Sequence, residues 1–462
     1  MLSISFLSLI CNNSFITAVK HIKDSDLKAQ LVVKGLNRPT SMVFLSQSEI
    51  LVAQQLGKVQ RIAVNDISHP YKLDHKSTIN STALDLTPFL NSTGERGLLG
   101  IEISQEKQTE EIENYPNGLK VYLLYTRSVN DIHLDKTNCL QRICDSNGSF
   151  VQSVYLYEYR NGKLVNPKLL FNVPLYSNES IQHIGGAITI NPENNKLYFT
   201  SGDGRACEYD DCSLKSSNLL DSSGLKKVGG IYYYLTEGGN EGNYNVTSNN
   251  IFQQFAYGIR NSYGLDIDPI TGNLWDTENG PTFGDELNLV KPGFNSGWPQ
   301  VQGKWPIKNY GELANNPSPG LPKGYLSEDS NKDRTIHNLI NFNGKGNYSY
   351  PEFIWNQTVG VTAIKFFNSD KMGKEYENDM FVGTYKGDIY HFDLNKERDG
   401  LALKGELEDK VANDDDELRD VIFSQDLSSG IGVTDLEIGP DGYLYVLSYS
   451  TPGGAIFRIV PK

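Results

Sequence analysis

Six times along the chain, a short run of alternating apolar and polar residues meets a Pro, Asn, Asp or Gly turn and is answered by a second run ending in a small or polar residue. The copies are MVFLSQSEILVAQQLGKVQRI, LLGIEIS with LKVYLLYTR, AITINPENNKLYFTSGD, LDIDPITGNLWDTENG, AIKFFNSDKMGKEYENDMFVGTYKGDIYHF and LEIGPDGYLYVLSYSTPGGAIFRIV. A period of two predicts strands, and the turn residues predict hairpins. One such sheet cannot bury both faces alone, whereas six around an axis bury both and protect their edges. The pattern therefore predicts an all-β fold, a six-bladed β-propeller with long inserted loops. The last copy ends only at the C-terminus, as expected if terminal strands close a ring. A pair of β-sandwiches is the competing arrangement.

Residues 31–462 form a single propeller domain in this reading, after a signal segment at 1–19 and an N-terminal extension at 20–30. Uneven spacing between copies implies insertions that roof one end of the channel, such as the Pro-, Gly- and Asn-rich stretch Asn309 to Lys345. The acidic run Glu408 to Glu417 reads as a solvated loop.

Composition agrees with short aromatic strands and tight turns: the 462 residues include 43 Gly, 26 Tyr and 19 Phe. A net charge of −14 argues against nucleic acid and other polyanions, and favours small neutral ligands or cations. The opening run MLSISFLSLICNNSFITAV is broken by Ser and Asn and reads as an export signal, although it lacks a basic start. No later stretch approaches the roughly 18 apolar residues that span a bilayer. Cys11 follows Ile10 where a lipoprotein anchor needs a small residue. Beyond it lie Cys139 with Cys144 and Cys207 with Cys212. Two local disulfides are the simplest of three connectivities, and one zinc site built from all four thiolates competes with them. Sequons at Asn80, Asn91, Asn147, Asn178, Asn245, Asn347 and Asn356 also suit an exported protein.

Candidate chemistry gathers around the third and fourth copies. His183 precedes the third, and Asp203 follows it by twenty residues in the turn SGDG. An imidazole oriented by a carboxylate is what a general base needs at neutral pH. In YGIRNSYG, Arg260 and Asn261 set a fork of donors beside an amide. Gly280 and Pro281 in TENGP then lead to Asp285 and Glu286, an oxygen-rich setting suited to a hard cation.

These elements occur in one order: G-L-L-G, H-x-G-G, R-N-x-x-G, E-x-G-P-x-x-x-D-E-L-N and N-x-G-W-P. In that order they resemble the glucose/sorbosone dehydrogenase family, soluble sugar dehydrogenases that use pyrroloquinoline quinone (PQQ) and calcium on a six-bladed β-propeller. The resemblance runs from about Leu31 to Ile459. It implies that His183 takes the anomeric hydroxyl proton of an aldose while hydride passes to PQQ, with Asp203 beside the base. It also implies that Arg260 and Asn261 meet the quinone carbonyls, and that the carbonyls of Gly280 and Pro281 hold the cofactor calcium. Glu95, Gln182 and Lys386 fall where the family contacts cofactor or sugar, and Glu286 resembles a structural calcium ligand.

The chain departs from the family in two places. Quinone-binding members carry an R-x-R-D element before the last repeat, where this chain reads IGVTD, Ile431 to Asp435, with no arginine. That removes two charge-assisted contacts to cofactor carboxylates, each worth about 1.5 to 3 kcal/mol, and puts PQQ affinity in question. Gln182 stands where well-studied members place Asp. The resulting expectation is an exported, calcium-dependent quinoprotein that oxidises aldoses to lactones and passes electrons to an external acceptor. A propeller that binds a glycan or protein without redox chemistry, as hedgehog-interacting relatives do, is the alternative. A propeller lactonase is disfavoured for want of carboxylates and Asn converging on a channel calcium.

Overall fold

Both faces of the middle strands are apolar because each faces a different neighbour. In Lys196–Ser201, Leu197 and Phe199 pack toward the preceding sheet, whereas Tyr198 packs toward the following one. The same division recurs around the molecule, and a separate apolar cluster fills each interface between consecutive sheets. The computed structural model describes residues 21–64, 78–104, 119–128, 150–175, 181–205, 229–236, 252–299, 301–307, 347–425, 432–449 and 453–462.

The architecture is an all-β six-bladed propeller. Each blade has an antiparallel four-stranded core, and its first strand lies innermost. The innermost strands are Pro39–Ser46, Leu98–Ile103, Ile188–Asn191, Ser262–Ile267, Val361–Phe367 and Val433–Ile438. Each touches the next, and the last touches the first. The ring is closed by pairing the N-terminal strand Leu27–Leu36 with the C-terminal strand Gly454–Pro461, Leu27 opposite Pro461. Residues 27–30, which the repeat pattern leaves in an extension, thus belong to the closing sheet. The earlier strand His21–Ile22 adds to the fifth blade.

Side chains lace neighbouring inner strands together. Thr40 Oγ1 donates to Leu98 O (2.9 Å) and Thr434 Oγ1 to Pro39 O (3.1 Å), while Asp266 Oδ2 accepts from Phe366 N (2.7 Å). The inner edge of each sheet thereby finds partners for groups that would otherwise be orphaned in the channel wall. The acidic run includes a short helix, Asp415–Leu418, capped by Asp414. No helix among the described residues is long and apolar enough to cross a membrane. Cys139, Cys144, Cys207 and Cys212, the segment 1–19, the whole Asn309 to Lys345 stretch and Asn147, Asn178 and Asn245 lie outside the described residues.

Candidate active site

A cavity of about 550 Å³ runs along the propeller axis. Its wall at the end where the inner strands begin includes Glu95, His183, Arg260, Asn261, Gly280 and Pro281. Glu95, His183 and Arg260 with Asn261 come from loops entering the second, third and fourth blades, Gly280 and Pro281 from the turn between the second and third strands of the fourth, and the ring brings them to one mouth.

His183 lies in the left-handed region with φ 54°, a conformation that costs a non-glycine residue energy and persists only when its surroundings enforce it. The enforcement is visible. Its N–H donates to Glu95 Oε2 at 2.7 Å, its carbonyl accepts from Gly204 N at 3.0 Å, and Glu95 Oε2 also accepts from the Tyr263 hydroxyl at 2.8 Å. Gly202 permits the approach, since a Cβ there would lie 2.1 Å from His183 O.

The imidazole is held on both sides. Nδ1 lies 2.8 Å from Asp203 Oδ1, and Nε2 lies 2.9 Å from an Arg260 NH2 nitrogen. A guanidinium can only donate, so Nε2 accepts and Nδ1 carries the proton given to Asp203. That is the tautomer a base working through Nε2 requires. Burial and the Arg260 charge push His183 below its ordinary value, against the opposing pull of Asp203 and Glu95. Burial alone would raise Asp203, but His183, Arg260 and the Arg205 N–H outweigh it and keep this carboxyl below the usual range. Asp203 stands behind the imidazole and does not line the cavity. Its second oxygen accepts from Trp298 Nε1 at 2.8 Å.

The other NH1 nitrogen of Arg260 donates to the carbonyls of Asn279 (2.8 Å) and Gly280 (2.9 Å). Gly280 has no room for a side chain, because a Cβ would meet Phe283 O at 2.0 Å. Its turn is pinned by Gly280 N donating to Asp285 Oδ1 (2.8 Å). The Gly280 carbonyl, one of the two expected to hold calcium, thus accepts from the guanidinium expected to meet the quinone. Asn261 spends its Oδ1 on Gly185 N at 3.1 Å.

Three residues singled out by motif lie off the cavity wall. Gln182 is exposed and accepts from Arg205 NH1. Lys386 is exposed on a hairpin turn, and its neighbour Tyr385 lines the cavity instead. Glu286 is fully buried behind the mouth. There Ser296 Oγ lies 3.0 Å from Glu286 Oε2 and 2.6 Å from Glu278 Oε2. Glu286 also accepts from Asn288 Nδ2 (3.2 Å), Gln302 Nε2 (2.9 Å) and Gly303 N (2.6 Å), so its oxygens are satisfied within the protein. Burial and mutual repulsion push Glu278 well above the usual range, and burial raises Glu286 to about 8. Glu278 Oε1 also accepts from Arg260 N at 2.5 Å, which ties this buried pair to the mouth.

Sequence reasoning missed Trp298, Glu278, Ser296 and Tyr263 as site residues. N-x-G-W-P is a visible motif, yet only the folded chain shows its indole against Asp203. It also missed a polar band deeper in the channel. Glu102, Asp266, Lys365 and Glu437 hold equivalent places in their inner strands, in the strings GIEI, GLDI, AIKF and DLEI. Lys365 Nζ reaches Glu437 at 2.9 Å and Asp266 at 3.6 Å. Burial pushes Glu102 and Asp435 up to about 8. A charged residue recurring at one position of a repeat was the signal for this band.

The family described as Glucose / Sorbosone dehydrogenase matches residues 36–458. The chain is 29% identical over 210 residues to the aldose sugar dehydrogenase YliI of Escherichia coli, a match covering 45% of this chain and 44% of that protein. It is 24% identical over 409 residues to quinoprotein glucose dehydrogenase B of Acinetobacter calcoaceticus, covering 81% of this chain and 78% of that one. Among solved structures, the apo-form soluble aldose sugar dehydrogenase of Escherichia coli superposes with a TM-score of 0.61 at 17% identity, covering 94% of this chain and all of that one. The PQQ-bound aldose sugar dehydrogenase of Streptomyces coelicolor superposes with a TM-score of 0.57 at 17% identity, covering 95% and 99%. At such identities these superpositions speak for the fold.

Proposed function

The chain belongs to the glucose/sorbosone dehydrogenase family, and from that premise we propose that it is an exported quinoprotein oxidising the anomeric carbon of aldoses to lactones with PQQ and calcium. The observation that carries the reading is the Asp203–His183–Arg260 chain of contacts at the cavity mouth. His183 is neutral, holds its lone pair on Nε2, and is aimed into a cavity large enough for a planar cofactor and a sugar.

The donor set fits the reactive edge of the cofactor. Arg260 offers a guanidinium for quinone oxygen, and the carbonyls at Gly280 and Pro281 are hard oxygens for calcium. When bound, the quinone accepts the hydride from C1 and calcium polarises it. His183 takes the C1 hydroxyl proton at Nε2. Asp203 keeps the imidazole oriented and stabilises its positive charge. Arg260 stabilises negative charge developing on oxygen. Glu95 holds the strained His183 backbone in place.

The stretch where the family resemblance would put the cofactor carboxylates offers a poorer wall. Gly432 to Asp435 line the cavity without a guanidinium, and Asp435 is tied to Met42 N at 2.7 Å. This favours looser PQQ binding, and it supports the second reading, a propeller that binds a glycan or protein without turnover. Titrating the purified protein with PQQ and calcium, then following dye reduction by aldoses, separates the two. Saturable quinone binding with turnover, and a His183→Ala variant that binds without turning over, supports the enzyme. An intact fold with neither binding nor turnover supports the binding module.

A further inference from the structure

Trp298 touches both halves of the site yet reaches neither cavity nor solvent, being 1% exposed. Its Nε1–H donates to Asp203 Oδ2 at 2.8 Å, and its ring lies under the Arg260 guanidinium, with Cζ 5.2 Å from the ring centroid. We infer that Trp298 is a positioning residue that sets His183 through Asp203 with its N–H, and sets Arg260 with its ring. The inference rests on the reading of His183 as the base.

Asp203 must present Oδ1 to His183 Nδ1 and to Arg205 N, which lie 2.8 Å and 2.9 Å away. A carboxylate held by one oxygen can swivel about its Cβ–Cγ bond. A donor on the other oxygen fixes its plane and thereby the imidazole's. On the ring side, a cation over an indole face is attracted by the ring quadrupole. From that seat, the guanidinium reaches His183 Nε2 and the carbonyls of Asn279 and Gly280 together.

Trp298 is itself anchored to the segment carrying Arg260. Its N–H donates to Gly258 O at 3.1 Å, and Ser296 N donates to Tyr257 O at 3.1 Å. Gly297, with φ 101°, lets the chain turn where a Cβ would meet Val301 Cβ and the Tyr348 ring at 2.9 Å. Arg260 and Trp298 therefore move as one body, and that body carries the donor to Asp203.

Phenylalanine keeps the ring and deletes the N–H. In Trp298→Phe, one oxygen of a buried carboxylate loses its donor, so Asp203 pulls harder on the imidazole proton. Among the described residues, the charged groups with the largest effect on His183 are Arg260, Asp203 and Glu95. Asp203 loses a donor while Arg260 keeps an aromatic ring beneath it, so the His183 midpoint rises.

NMR on the protein without cofactor or sugar tests this, because only four tryptophans give indole signals. In the wild type, one indole N–H should shift with the midpoint of the His183 imidazole, identified by its absence in His183→Ala. Trp298→Phe should delete that indole signal and raise the His183 midpoint by about half a unit or more. With aldose turnover in hand, the same variant should lose kcat at least about tenfold with KM little changed. Wild-type indoles that ignore the imidazole titration overturn the inference, and so does a folded Trp298→Phe protein that titrates as wild type. If that variant does not fold, the wild-type indole decides alone. Because the titration needs no turnover, a protein that oxidises no sugar would sink the proposed activity and leave this test standing.

Discussion

His183 Nε2 and the Arg260 guanidinium face each other at 2.9 Å, so the lone pair assigned to take a substrate proton is capped by a cation. For the base to act, an incoming hydroxyl must share or displace that contact, and Arg260 must turn toward the oxygen that gains charge. The guanidinium therefore acts twice. It holds His183 toward the unprotonated form and, in the proposed reaction, would stabilise the charge that develops on oxygen.

Arg260→Ala should remove both effects. Turnover should fall by about 10² to 10³, the usual loss on deleting one preorganised donor to a developing oxyanion. The His183 midpoint should rise, because a neighbouring positive charge is gone. Kinetics and imidazole NMR on one preparation check both directions.

Acid should silence the enzyme below the ordinary histidine range. His183 is depressed in the folded chain from 6.5, so kcat/KM should hold down to that value and fall only below it. Between the folded and unfolded midpoints the unfolded chain binds more protons, so stability rises with pH there and is lost as pH falls below 6.5. Denaturant midpoints across pH 4 to 8, compared with His183→Ala, isolate this contribution.

Glu95→Ala should leave the His183 and Ile184 N–H groups and the Tyr263 hydroxyl without the acceptor they share. A loss of about 1 to 3 kcal/mol is expected from unsatisfied buried donors. Turnover should fall because the left-handed backbone at His183 relaxes. Glu95→Gln keeps an acceptor oxygen and should recover much of both losses.

Calcium should raise the melting temperature of the wild type if Glu286, which resembles a structural calcium ligand of the family, holds the ion together with its buried neighbour Glu278. Glu286→Gln removes a carboxyl that could give up its proton to a cation and should blunt the response. Differential scanning calorimetry with calcium or with chelator reads it, and equal stabilisation of both proteins would remove Glu286 as a ligand.

The propeller was legible because burial on both faces of each repeat writes itself into the chain: Leu197 and Tyr198 are adjacent in sequence and serve different interfaces. The ring closure was legible in a last repeat that ends only at the C-terminus, although the start of its partner strand, Leu27, was not. His183, Asp203, Arg260 and the Gly280 turn were legible as motifs, and the fold brings them within hydrogen-bond reach. Trp298 was not, because its partner Asp203 is 95 residues away and nothing local in a Gly-Trp-Pro turn names an acceptor. Lys386 and Glu286 show the converse: a motif fixes the position in a strand or turn, while the side chain's direction depends on packing, which sends Glu286 behind the mouth and leaves Lys386 in solvent.

The most direct test of the central claim is rapid anaerobic mixing of the PQQ- and calcium-loaded protein with an aldose and with the same aldose deuterated at C1. The quinone absorbance should bleach in a single turnover, more slowly with deuterium, and His183→Ala should abolish the bleaching. Loaded quinone that does not respond to any aldose, or bleaching that is indifferent both to deuterium at C1 and to the loss of His183, would contradict it.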